Sequence, residues 1–69
     1  MSASERIGAA LAEIRKEQGV STYTLAKRVG MNQSAISRIE KGHISAGVDT
    51  IDRIAEALGS SLELVRKQR

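Results

Sequence analysis

Apolar residues recur along this chain in short bursts at helical spacing, and each burst is bracketed by glycine or by a small polar residue. Ile7, Leu11 and Ile14 form one stripe, with Ala10 beside them. Ser2 and Glu5 stand ahead of it at capping-box spacing, and Gly19 suits the left-handed position past its end. The pattern predicts a first helix over residues 4–18. Leu25, Ala26 and Val29 predict a second over 22–29, capped by Ser21 or Thr22 and ended by Gly30. Ala35, Ile36 and Ile39 predict a third over 33–41, capped by Asn32 and ended by Gly42. His43 to Gly47 reads as a loop. Val48, Ile51, Ile54, Ala55 and Leu58 then predict a fourth helix over 48–58, with Gly47 as a permissive cap and Gly59 as the stop. Ser60 and Glu63 repeat the capping-box spacing. They predict a short fifth helix over 61–66, carrying Leu62, Leu64 and Val65, before a tail that frays.

Five short helices with brief connections predict an all-α fold, a compact orthogonal bundle forming one domain over residues 1–69. Ala26 lacks bulk where the third helix must cross close to the second. Gly30 supplies the positive φ of a tight inter-helix turn.

Composition narrows the class. A chain of 69 residues has a small core and needs a staple or very regular packing. It has no cysteine and one histidine, which removes disulfides and argues against a four-ligand zinc site. Compact helix packing, helped by self-association, is what remains. No metal or cofactor is expected. Catalysis is not expected either, because the acids are spread at helix-surface spacing and there is no glycine-rich phosphate loop. No apolar run approaches the ~20 residues of a membrane span. The opening MSASERIGAALAE has neither the basic start and apolar stretch of a signal peptide nor the arginine richness of a transit peptide. A cytoplasmic protein is expected, nucleoid-associated if it binds DNA, with no membrane partner. No effector-binding or cleavable domain is expected to follow, and no small-molecule ligand is evident.

The net charge of +3 is modest, and its distribution says more. Residues 21–47 hold Lys27, Arg28, Arg38 and Lys41 against Glu40 alone. Residues 48–65 hold Asp49, Asp52, Glu56 and Glu63 against Arg53 alone. The basic excess sits on the second and third helices and on the tail Arg66, Lys67 and Arg69. Such a patch points to a polyanion partner; a solvated mixed-charge surface is the plainer alternative.

The segment over 22–41 is the most informative. On the third helix, Gln33, Ser34, Ser37, Arg38 and Lys41 lie opposite Ala35, Ile36 and Ile39. The outward face offers amide, hydroxyl and guanidinium groups and no carboxylate. Those groups read base edges and touch phosphates, Gln pairing with adenine and Arg with guanine. The economical reading is a helix-turn-helix DNA binder. Tyr23 reads in two ways, as a phenol donating to phosphate or as a ring lying across small core residues. Lys27 and Arg28 meet phosphate or merely solubilise. His43, alone, is a loop residue.

Leu25-Ala26, Gly30, Ile36, Ile39-Glu40 and Gly42 fall where framework residues stand in lambda-repressor-like, Cro and XRE-type helix-turn-helix proteins. Ile54-Ala55-Glu56-Ala57-Leu58-Gly59 resembles that family's fourth helix and its glycine stop. The resemblance runs from about Ile7 to Val65. It implies a third helix lying in the major groove of double-stranded DNA. It implies base contacts from Gln33, Ser34, Ser37 and Arg38, with Asn32 capping, touching DNA, or both. It implies backbone contacts near Thr22, Lys41 and His43, to which Tyr23 and Lys27 are added as candidates. Thr22 departs from the glutamine common there, and Ala46-Gly47 departs from the usual proline and serine, so a looser loop is expected. Arg15 and Glu40 match a pair that joins the first and third helices in the family. Leu62, Leu64 and Val65 cannot all face one small core, and in the family this end commonly makes a dimer, so Leu62 and Val65 are candidate interface residues. The resemblance implies a homodimeric transcriptional regulator, a repressor reading an inverted-repeat operator. The rival is a protein-interaction module, an antitoxin or adaptor on the same fold.

Overall fold

A computed structural model describes residues 1–68. Four helices occur among the described residues: α1 (Ala3–Glu17), α2 (Thr22–Val29), α3 (Gln33–Glu40) and α4 (Val48–Ala57). Their limits lie within one residue of those read from the periodicity. Local chemistry explains each start. Ser2 and Glu5 make a complete capping box, the Ser2 hydroxyl accepting from the Glu5 N–H and the Glu5 carboxylate accepting from the Ser2 N–H. The Ser2 backbone and side-chain bonds hold the Glu5 carboxyl below its ordinary value of 4.5, with a smaller contribution from nearby His43. A depressed carboxyl stabilises the fold above that pH, and the contribution fades as pH falls through the lowered folded-state value. Ser21 caps α2 through the Thr24 N–H at 3.0 Å. Asn32 occupies the cap position of α3, but its side chain makes no capping bond.

The core comprises Leu11, Leu25, Ala26, Val29, Ile36, Ile39, Ile51, Ile54, Ala55 and Leu58. α1 packs on α3, α3 on α2, and α2 on α4. Two long-range hydrogen bonds tie off helix ends. Gln18 Nε2 donates to the Leu58 carbonyl at 2.6 Å, joining the ends of α1 and α4. The Arg53 guanidinium donates to the Val29 carbonyl, satisfying an orphan acceptor at the end of α2. Gly30 takes φ 70° directly after α2, and this left-handed turn sends the chain into α3.

The expected fifth helix over 61–66 does not form. After α4, Gly59 turns the chain at φ 73° and the Ser60 N–H bonds back to the Ala55 carbonyl. The Leu62 N–H then donates to Asp52 Oδ1 at 2.9 Å, and the Ser61 hydroxyl donates to Glu63 Oε2 at 3.0 Å. The Ser60 N–H and the Glu63 carboxylate, which a capping box would have joined to each other, are thus engaged elsewhere. A helix of about six residues must also overcome its nucleation cost with almost no internal hydrogen bonds. Packing does not help it, since Leu64 is 102% exposed and Val65 85%. Val48, at the first position of α4, is likewise exposed and outside the core. Arg69 lies outside the described residues.

Candidate nucleic-acid interface

Ile36 and Ile39 anchor α3 in the core, and that burial sets which way its other face points. Asn32, Gln33, Ser34 and Arg38 are exposed, and Ser37 is half-buried. Lys41 and His43 are exposed just beyond the helix, where the His43 N–H bonds to the Arg38 carbonyl at 2.9 Å and fixes the loop's exit. Lys27 and Arg28 are exposed on α2. Among these exposed groups there is no carboxylate. The free Asn32 side chain leaves an amide at the leading edge of the face.

Tyr23 is 57% exposed, which removes the reading of a ring across the core. Lys27 Nζ lies 5.4 Å from the ring centroid, so the aromatic face and the ammonium form one exposed unit. Thr22 is half-buried, and its hydroxyl oxygen accepts a hydrogen bond from Gln33 Nε2 at 2.8 Å. The first residues of α2 and α3 are therefore coupled.

Arg15 and Glu40 hold α1 against the end of α3. Arg15 Nε donates to Glu40 Oε2 at 2.6 Å and Nη2 donates to Oε1 at 2.9 Å, a bidentate pair. Nη1 donates to the Val20 carbonyl at 2.8 Å. Hydrogen bonding to Glu40 raises the Arg15 pKa further, against the opposing effect of burial.

Gly8 carries a constraint that periodicity does not reveal. A Cβ there would overlap the Ile39 carbonyl oxygen and come within 2.8 Å of the Glu40 carbonyl oxygen. α1 thus touches the last turn of α3 backbone to backbone. A Cβ on Gly42, at φ 73°, would meet Glu5 Cγ at 2.6 Å and Cα at 2.7 Å. Only a glycine inside an otherwise regular stripe hinted at the first of these. Among the described residues no group of three or more His, Cys, Asp or Glu comes together. No helix among them is long and apolar enough to cross a membrane.

A buried-backed polar helix, set by a glycine turn onto a bracing helix, defines the helix-turn-helix class of domain. The chain belongs to the helix-turn-helix family in its XRE-like form, whose sequence profile matches residues 11–65. It is 38% identical over 55 residues to the HTH-type transcriptional regulator PuuR of Escherichia coli, a match covering 80% of this chain and 30% of that regulator. Its fold is similar to the clp gene regulator ClgR of Corynebacterium glutamicum, with TM-score 0.87 and 27% identity over 90% of this chain and 80% of ClgR. It is also similar to a chain of a toxin-antitoxin module from Streptococcus pneumoniae, with TM-score 0.73 and 32% identity over 94% of this chain and 71% of that one.

Proposed function

We propose that this protein is a sequence-specific double-stranded DNA-binding transcriptional regulator, a homodimeric repressor that reads an inverted-repeat operator through the major groove. The observation that carries the reading is the exposed α3 face, with Asn32, Gln33, Ser34 and Arg38 outward and no acid among them. Base edges are read by Gln33, Ser34, Ser37 and Arg38, with Asn32 at the rim. Tyr23, Lys27, Lys41 and His43 meet the phosphates on either side. The relatives named as transcriptional regulators support the same reading. Binding requires no metal or cofactor, and the domain has no catalytic role.

The test is selection of bound sites from a random duplex library, followed by titration at several salt concentrations. A dimer neutralising on the order of 6–10 phosphates is expected to show a log affinity against log salt slope of roughly −5 to −9. Lys41→Ala is expected to weaken all sequences alike and flatten that slope by about one unit per subunit. Affinity that barely changes with salt would contradict this.

Pairing is assigned to the C-terminal segment. Leu62 lines a shallow apolar groove with Ile7, Ala10, Leu11 and Ile14, while Leu64 and Val65 project beyond it. Leu64→Glu and Val65→Glu are expected to lower self-association and operator affinity together while leaving monomer melting unchanged, because both side chains are exposed in the single chain. Sedimentation showing an undisturbed dimer in both variants would remove this assignment.

The likeness to the toxin-antitoxin chain favours a second reading, an antitoxin or other protein-interaction module. A chain that selects no DNA site but captures one defined protein partner from its own lysate would establish that reading instead.

A further inference from the structure

We propose that Glu5 is a positioning residue for the phosphate contact of His43: its carboxylate is the counter-charge of a protonated imidazole, and DNA binding takes up a proton there. The inference rests on the phosphate contact assigned to His43 above. The fold brings the two residues together where α1 begins and α3 ends. A Cβ on Gly42 would stand 2.6 Å from Glu5 Cγ and 2.7 Å from its Cα, so the chain enters His43 against the first turn of α1. The exit from α3 is held in place. The Gly42 N–H bonds to the Ile39 carbonyl at 3.0 Å and the His43 N–H to the Arg38 carbonyl at 2.9 Å. The capping box holds the other partner. The Ser2 N–H engages Glu5 Oε1 at 2.9 Å and leaves Oε2 without a hydrogen-bond partner among the described residues. The Glu5 carboxyl, held below its ordinary value by Ser2, stays ionised through the neutral range.

A neutral imidazole has one N–H to donate, whereas a charged one has two. The charged ring can turn one N–H to Glu5 and the other to a phosphate. The groups around it decide when it is charged. α1 presents Glu5, followed by Arg6, and the α3 side presents Arg38 and Lys41. α4 meets this loop through apolar Ile51, which lines a small cavity with Ile44 and Ala46. In the free chain Glu5 and His43 are both exposed, so water weakens their attraction, and the cations oppose a charged ring. DNA adds a second anion, offsets the cations and excludes water. The bound ring therefore holds a proton, drawn from solvent, more tightly than the free ring. Affinity is then highest at low pH and falls as pH rises through the imidazole range.

Binding to a selected duplex is measured from about pH 6 to pH 8 at fixed salt, the range in which an imidazole changes charge. The wild type is expected to lose about tenfold of its affinity per subunit. His43→Gln is expected to be weak and His43→Lys tight, each without that slope. His43 is the only histidine, so its ring resonances can be followed alone by NMR. Glu5→Gln keeps a residue that serves in a capping box, so the helix start survives. It is expected to move the His43 titration in the free chain to lower pH. An unmoved titration overturns the role of Glu5. A His43→Gln chain with the wild-type slope overturns the role of His43. A wild-type chain that selects a site but binds it equally at every pH overturns this inference alone. A chain that selects no site overturns the DNA reading, and the free-chain titration still reports whether Glu5 and His43 interact.

Discussion

Glu40→Ala is expected to cost the domain about 3–5 kcal/mol, the usual penalty for leaving one partner of a buried ion pair alone. The side chains of Arg15 and Glu40 are only 11% and 9% exposed, so water cannot replace the lost partner. The Arg15 guanidinium would keep its bond to the Val20 carbonyl and lose both bonds to the carboxylate. A domain of this size has a stability of about 5 kcal/mol or somewhat more, so the variant should be partly unfolded at room temperature. The pair itself is not a large net source of stability, because desolvating two charges offsets much of their attraction. The double variant Arg15→Met, Glu40→Leu is therefore expected to recover most of the loss. Urea denaturation of the wild type, Arg15→Met, Glu40→Leu and the double variant closes the cycle. Additive losses would show that the two residues do not act as a unit. What the pair secures is orientation, since Glu40 ends the very helix whose other face carries Gln33 and Arg38.

Gly8→Ala is the second large effect, from a single methyl group. The added Cβ would collide with backbone carbonyl oxygens of Ile39 and Glu40, and backbone cannot rotate aside as a side chain can. α1 must then lift from α3, loosening the Leu11 contact and the Arg15–Glu40 pair together. Overpacking of this kind costs roughly 3 kcal/mol, which lowers the melting temperature of a small domain by about 12–24 °C. Helix propensity points the other way, favouring alanine by about 1 kcal/mol, so the sign of the effect decides the case. A Gly8→Ala chain that melts at or above the wild-type temperature in a circular dichroism scan would show that α1 and α3 are not in backbone contact.

The four helices were legible because their causes are local. A stripe such as Leu25, Ala26 and Val29 and a box such as Ser2 with Glu5 involve neighbours within one or two turns. Those neighbours carry the same signal in any fold that keeps the helix. The outward face of α3 was legible for the same reason, since burying Ile36 and Ile39 leaves Gln33 and Arg38 outside wherever the helix goes. Ser60 and Glu63 show the limit of such reasoning. Their spacing suits a capping box, yet the Ser60 N–H bonds back to the Ala55 carbonyl and Ser61 engages the Glu63 carboxylate, so the segment runs on without a helix.

The sequence by itself determined where α1 to α4 begin and end to within one residue, most of the residues that enter the core, though not the exclusion of Val48, and which face of α3 meets the outside. Only the tertiary structure decided that Gly8 is a contact point, that Gln18 and Arg53 close the ends of other helices, and that Thr22 grips Gln33. Each of these joins residues 11 to 40 positions apart or depends on how closely two helices cross. Periodicity reports the face a residue occupies, and the partner it meets there follows from the packing of whole helices against one another.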